Sequence, residues 1–195
     1  MNLTGKNILV TGGGGFGVGA GICQALSEYG ARLIINEISE EKMRAVSGTY
    51  PDAVTVIADI GKSLEVEALF IYLENEVGVI HGLVNNAGIG LSKPAHEVSE
   101  QEFDNLYHVD MKGVWMMSKL FVKQLLKNKS AGNIVNVSSV HAHSTIQRYA
   151  IYASAKSAVE GVTRGMAVEL GKYDIRVNAI APGYVHAEQN YDLII

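Results

Sequence analysis

Seven of the ten residues from Gly12 to Gly21 are glycine. The run sits between an apolar segment, Asn7–Val10, and a stretch with helical spacing that starts near Val18. A strand that turns abruptly into a helix, with free backbone N–H groups and no Cβ in the way, is the arrangement that accepts a phosphate at a helix N-terminus. The same alternation continues along the chain. Further apolar runs fall at Arg32–Ile35, Val54–Ala58, Gly82–Val84, Asn133–Val137 and Ile175–Ala179. Helical patterns fall at Val18–Tyr29, Glu40–Ser47, Leu64–Val77, Glu100–Lys127 and Tyr149–Gly171, the fourth opened by a capping box of Ser99 and Glu102. Runs rich in Val and Ile, separated by helices, predict parallel strands covered on both faces through right-handed crossovers. The fold expected is therefore α/β, a doubly wound parallel sheet in three α/β/α layers, as one domain over residues 1–195. In such sheets ligands bind beyond the carboxyl ends of the strands, where the strand order reverses.

Composition narrows the function. The chain has 195 residues, 48% of them hydrophobic, and a net charge of −4 with the signs interspersed. That argues against nucleic acid as a partner, since phosphate backbones require clustered Lys and Arg. No run is long enough for a membrane span and the N-terminus lacks a signal-peptide layout, so no membrane partner is expected. The single Cys23 has no partner for an internal disulfide, and a reducing, cytoplasmic setting is expected. No metal-ligand cluster is evident.

The glycine loop matches G-x-G-x-x-G at Gly12, Gly14 and Gly17, in the strand-to-helix position that gives the motif meaning. Together with the strand–helix alternation this points to a Rossmann-type dinucleotide site. About twenty residues on, the second strand runs into Asn36-Glu37. A carboxylate there accepts the adenosine ribose hydroxyls and repels a 2′-phosphate, and no Arg or Lys follows at once, so NAD is favoured over NADP. Asp59, after the third strand, is a candidate for the adenine amine.

Later in the chain, Tyr152-Ala153-Ser154-Ala155-Lys156 is a Tyr-x-x-x-Lys signature, and Ser139 precedes the tyrosine at the matching distance. Asn85-Asn86-Ala87-Gly88 follows the fourth strand and Pro182-Gly183 the sixth. In this order, and with the Thr11–Gly19 loop, these elements resemble the short-chain dehydrogenase/reductase family from residue 6 to about 186. The resemblance implies an oxidoreductase that moves a hydride between nicotinamide and a secondary alcohol or ketone. It implies Ser139, Tyr152 and Lys156 as catalytic residues, with Asp110 at the fourth catalytic position. It implies cofactor contacts from Gly12, Gly15, Phe16, Gly17, Val18, Glu37, Asp59, Ile60, Asn86, Ala87, Gly88, Pro182, Gly183 and Val185, together with Tyr152 and Lys156. The chemistry is self-consistent. Residues four apart share a helix face, so Tyr152 and Lys156 meet at one site. A phenol is a poor base at neutral pH, and a neighbouring ammonium favours its ionised form.

The sequence departs from that pattern in four places. The glycine loop carries one residue more, at Gly15-Phe16. Asp110 stands where the family has Asn, and an ionised Asp110 near Lys156 is expected to retune the tyrosine. Ala187 replaces a Thr that binds the carboxamide. The chain ends at Ile195, short of the family's length, and so reads as truncated. The alternative function is accordingly a nucleotide-binding module with little or no turnover; a non-enzymatic interaction protein is disfavoured by the intact Ser139, Tyr152 and Lys156. His141, His143 and Tyr149 are assigned no role. Trp115, Met116 and Met117 are read as core or helix-packing residues. Substrate selection is placed in the loops Ile89–His96 and Val140–Arg148. A homodimer through the two long helices is expected, with a homotetramer as the larger possibility.

Overall fold

The computed structural model describes residues 2–185, apart from the side chains of Ala45 and Ser47. Six strands form one parallel sheet: β1 (Asn7–Thr11), β2 (Arg32–Glu37), β3 (Val54–Ile57), β4 (Gly82–Asn85), β5 (Gly132–Val137) and β6 (Ile175–Ile180). Their order is β3-β2-β1-β4-β5-β6. The order reverses between β1 and β4, so the two strand ends part there and open a crevice. Six helices connect the strands: α1 (Val18–Glu28), α2 (Glu40–Thr49), α3 (Ser63–Glu76), α4 (Glu100–Tyr107), α5 (Val114–Lys127) and α6 (Ala150–Leu170).

Strand alternation splits the core between the two faces. Leu9, Ile34, Leu83 and Ile134 point to one side and pack with Leu69 and Leu73 of α3 and Met117, Phe121 and Leu125 of α5. Ile8, Val10, Leu33, Ile35 and Val84 point to the other and pack with Cys23 of α1 and Met43 and Val46 of α2. Burial pushes the Cys23 thiol up to about 12, with the nearby Glu37 charge adding to the effect, so it stays a protonated, inert core group.

Three expectations need correction. Among the described residues, cover on both faces holds for β1 and β2 but not for β6. There Ile175 and Val177 are buried while Arg176, Asn178 and Ile180, on the face shared with α1 and α2, are exposed. The reason is visible in the strand: Ile-Arg-Val-Asn is the period-two pattern of a half-buried strand. The segment Glu100–Lys127 is not one α-helix. His108–Gly113 is wound as a π-helical turn between α4 and α5, a local widening that recurs at functional sites. Trp115 is not core. It is 40% exposed, with the Lys119 ammonium 4.9 Å from its ring centre, whereas Met116 and Met117 are buried as expected.

A polar network crosses the sheet beneath the crevice. The Asn85 amide donates to Asn136 Oδ1 at 2.8 Å and to Ser118 Oγ at 2.9 Å, and the Asn136 amide donates to Thr163 Oγ1 at 2.8 Å. All four side chains are buried. This ties β4 and β5 to α5 and α6 in one register, because each donor lost inside the core forfeits its solvation without replacement. Asn136→Leu removes one acceptor from the Asn85 amide, which keeps Ser118, and one donor to the Thr163 hydroxyl, which keeps the Val159 carbonyl, and is expected to cost about 1–3 kcal/mol in urea unfolding. A change under about 0.5 kcal/mol, the scatter of ordinary surface substitutions, would contradict the network's role.

Candidate active site

The crevice at the carboxyl ends of β1 and β4 is a cavity of about 350 Å³. Its floor is stitched by one pair of residues. The Thr11 hydroxyl accepts the backbone N–H of Asn86 and of Ala87, each at 3.0 Å. The Asn86 side chain donates back to the carbonyls of Thr11 at 3.0 Å and Gly12 at 2.7 Å. Asn86, expected as a cofactor contact, thus spends its amide on holding the glycine loop.

Glycine is required in that loop for two separate reasons. Gly12, Gly15 and Gly17 have φ of +63°, +70° and +125°, backbone states that disfavour a side chain. Gly12, Gly14 and Gly19 approach other groups too closely: a Cβ on Gly12 would lie 2.9 Å from Ala87 Cα, and one on Gly19 would overlap the Gly12 carbonyl oxygen. The extra residue in the loop is resolved accordingly. Gly12, Gly14, Phe16, Val18 and Gly19 line the cavity, whereas Gly15 and Gly17, expected as contacts, shape the turn without lining it. Gly19 is the wall position that the motif match did not single out, while Gly14 belonged to the match but not to the expected contacts. The backbone cradle and the α1 N-terminus fit a dinucleotide's pyrophosphate.

At the far end of the loop Glu37 is 5% exposed and accepts the Gly14 N–H at 2.7 Å. It belongs to β2 rather than to the start of a helix, and it lines the cavity with Ile38, Asp59 and Ile60. Asp59 Oδ1 accepts the Gly61 N–H at 2.9 Å. Lys42, in the first turn of α2, also lines this end, a cation that lies beyond the residues immediately after Glu37.

Ser139, Tyr152, Lys156 and Asp110 line the opposite end of the same cavity, beside Ala87, Gly88, Pro182, Gly183 and Val185. Ser139 follows β5, and its Oγ accepts the His141 N–H at 3.2 Å. Tyr152 and Lys156 are one turn apart on α6, with the ammonium 5.6 Å from the phenol ring centre. Lys156 and Asp110 are both buried, and Nζ lies 3.0 Å from Oδ2. Asp110 Oδ1 accepts the Ile89 N–H at 2.7 Å, and Lys156 Nζ donates to the Val137 carbonyl at 3.3 Å. Burial pushes the Asp110 carboxyl above its ordinary value, opposed by the Lys156 charge and the Ile89 N–H. Gly88 is required here too, since a Cβ would sit 3.0 Å from Asp110 Oδ2 and 3.1 Å from Lys156 Nζ.

Residues set aside in the sequence lie close by. The His141 ring stacks on Tyr149 at 4.7 Å and meets the Tyr152 ring edge-on at 5.7 Å. A short 3-10 turn, Val140–Ala142, folds over α6 and brings them together; nothing local in the sequence signals that approach. His143 pairs with Glu160, whose Oε1 also accepts the Ser138 hydroxyl at 2.9 Å. The two substrate-side loops touch: Lys93 N–H donates to the Arg148 carbonyl at 2.7 Å. Ala187 lies outside the described residues.

A model of the short chain dehydrogenase family matches residues 6–193. The chain belongs to that family. It is an NAD(P)-dependent oxidoreductase acting on CH–OH groups. It is 35% identical to 5-keto-D-gluconate 5-reductase of Escherichia coli strain K12 over 198 residues, covering 100% of this chain and 77% of that protein. It is 36% identical to levodione reductase of Leifsonia aquatica over 189 residues, covering 93% of this chain and 70% of that protein. The crystal structure of a gluconate 5-dehydrogenase from Burkholderia cenocepacia, in complex with NADP and tartrate, superposes with a TM-score of 0.92 at 31% identity, over 99% of this chain and 76% of that one. Among the described residues no helix is long and apolar enough to cross a membrane, and no group of three or more His, Cys, Asp or Glu is placed to hold a metal.

Replacing Gly19 by Ala is expected to disrupt the loop. NAD affinity, followed by quenching of protein fluorescence, should fall about tenfold or more, because the added Cβ can be housed only by moving the Gly12 carbonyl out of the cradle. Unchanged affinity would show that the cradle does not bind the dinucleotide.

Proposed function

We propose that this short-chain dehydrogenase interconverts a small secondary alcohol and its ketone, with NAD as preferred cofactor and Tyr152 as the proton-transfer residue. The observation that carries this reading is the gathering of Ser139, Tyr152 and Lys156 at one end of the cavity whose other end is the glycine cradle. A bound nicotinamide supplies the hydride to the carbonyl carbon, or takes it from the carbinol carbon. The chain's residues handle the proton and the charge. In reduction the Tyr152 hydroxyl gives its proton to the carbonyl oxygen as the C–H bond forms, and the phenolate is refilled from solvent; oxidation runs the reverse. The Ser139 hydroxyl hydrogen-bonds the same oxygen and steadies the developing alkoxide. The Lys156 ammonium, close to the phenol ring, offsets negative charge on Tyr152 while that charge lasts.

Support for NAD is the buried carboxylate of Glu37 at the adenosine end, already bonded to the loop and costly to place beside a 2′-phosphate. Lys42 at the same end, and the NADP held by the Burkholderia enzyme, support the phosphorylated cofactor as the second reading. The relatives' names make hydroxy acids, cyclic diketones and their reduced forms the substrates to screen first. A homodimer is part of this reading, since Phe103, Trp115 and Val168 leave apolar surface exposed on α4, α5 and α6. Sedimentation is expected to show twice the chain mass; a monomer at micromolar concentration would remove that part.

In a spectrophotometric screen with both cofactors, kcat/KM is expected to favour NAD, and Tyr152→Phe to lower kcat by about a hundred- to ten-thousand-fold while leaving NAD affinity nearly unchanged. Full turnover by the Phe variant would end the assignment of Tyr152. Equal use of the two cofactors would end that of Glu37.

A further inference from the structure

Asp110 is the titratable group in the cavity whose presence the reaction as described does not explain. Its burial is complete, its two oxygens are directed to different elements, and a π-helical turn carries it. Oδ1 fixes the β4 loop through the Ile89 N–H, and Oδ2 meets Lys156 Nζ at 3.0 Å. An amide at this position would keep the first contact and lose the second as a charge pair. A buried pair seldom adds net stability, because desolvating two charges offsets their attraction. Here burial pushes the Asp110 carboxyl upward, so its ionised form weakens the fold. By linkage, stability conferred by the neutral acid is present at low pH and lost as pH rises through that raised value. A carboxyl group buried 3.0 Å from Lys156 Nζ, on the cavity that holds the proposed proton-transfer group, points to the chemistry.

We propose that Asp110 is a positioning residue that turns Lys156 into half of a buried charge-neutral pair, making Tyr152 harder to deprotonate than beside an unpaired ammonium and setting the site for ketone reduction near neutral pH. The proposal rests on Tyr152 as the proton-transfer residue. The ion-pair and ring distances put the carboxylate within about 9 Å of the phenol ring. At an effective dielectric of about 20, a negative charge at that range opposes phenolate formation by on the order of one pH unit. The equilibrium between alcohol and ketone is untouched; what changes is the pH at which the chain offers an acid or a base. Other titratable groups around the pair are bonded elsewhere. Glu160, one turn along α6, holds Ser138 and His143. Asp59, near Val109, accepts the Gly61 N–H. His108 Nδ1 meets the Asp104 carbonyl, and the Tyr107 hydroxyl meets Ser154. His141 and Tyr149 lie edge-on to the Tyr152 ring, and both are present in every form compared below.

The test is an ultraviolet phenolate titration of the protein without cofactor, in four forms: wild type, Tyr152→Phe, Asp110→Asn and the double variant. Subtracting each Phe form isolates Tyr152. The Tyr152 step is expected about one pH unit lower in the Asp110→Asn background. The alkaline rise of alcohol oxidation should move the same way, and Asp110→Asn should unfold no more easily than wild type near neutral pH. Asp110→Ala should shift the step in the same direction. A Tyr152 step at the same pH in both backgrounds overturns the proposal. So does loss of the fold in both Asp110 variants, which would make the residue structural. Absence of turnover in wild type would defeat the proposed function instead, and the titration would still decide the charge pair.

Discussion

The bonds between Thr11 and Asn86 hold the site together. They cross the gap where β1 and β4 part, the one place in the sheet where two strand ends diverge without a connecting helix between them. On one side they set the Gly12 carbonyl and with it the turn into α1. On the other they set Ala87 and Gly88, and so the height of Ile89, whose N–H holds Asp110, whose carboxylate holds Lys156. The glycine loop and the Lys156–Asp110 pair are thus opposite ends of one bonded path. Close approach along this path is what makes Gly12, Gly19 and Gly88 necessary, since each abuts backbone or a charged group with no space for a methyl.

Charge is arranged along the cavity as deliberately as shape. Carboxylates, Glu37 and Asp59, stand at the end near β2 and β3, with Lys42 beside them. The other end holds a neutral pair, Lys156 with Asp110, in a dry setting where unpaired charge would be expensive. The phenol lies between that pair and the aromatic rings of His141 and Tyr149, which fix the orientation of Tyr152 without hydrogen-bonding to it. Below, the Asn85–Asn136–Thr163 network keeps β4, β5 and α6 in register, so the strand that ends in Ser139 and the helix that carries Tyr152 cannot slide independently.

Much of this was legible in the chain. Strand and helix positions followed from period and glycine placement, with ends shifted by a residue or two. The capping box at Ser99 and Glu102 formed as read. Ser139, Tyr152, Lys156 and Asp110 all line the cavity. Errors arose where partners distant in sequence decide. The Trp115 ring looked like core on hydrophobicity alone, yet it falls on the helix face away from the sheet. Gly15 and Gly17 hold positive φ in the turn, while Gly12, Gly14 and Gly19 line the cavity, a division that spacing does not reveal. His141 and Tyr149 lay in a segment without regular pattern, so no periodicity could bring them to Tyr152.

What the sequence determined by itself was the layer order, the strand-to-helix glycine turn and the pairing of Tyr152 with Lys156 on one helix face, because these depend on local spacing, backbone freedom and helix pitch. What only the tertiary structure decided was which glycines face the cavity, which face of β6 stays open, and that the Asp110 carboxylate reaches Lys156 directly. Those are distances between elements far apart along the chain, fixed by packing across the sheet and by a π-helical turn that no local propensity announces.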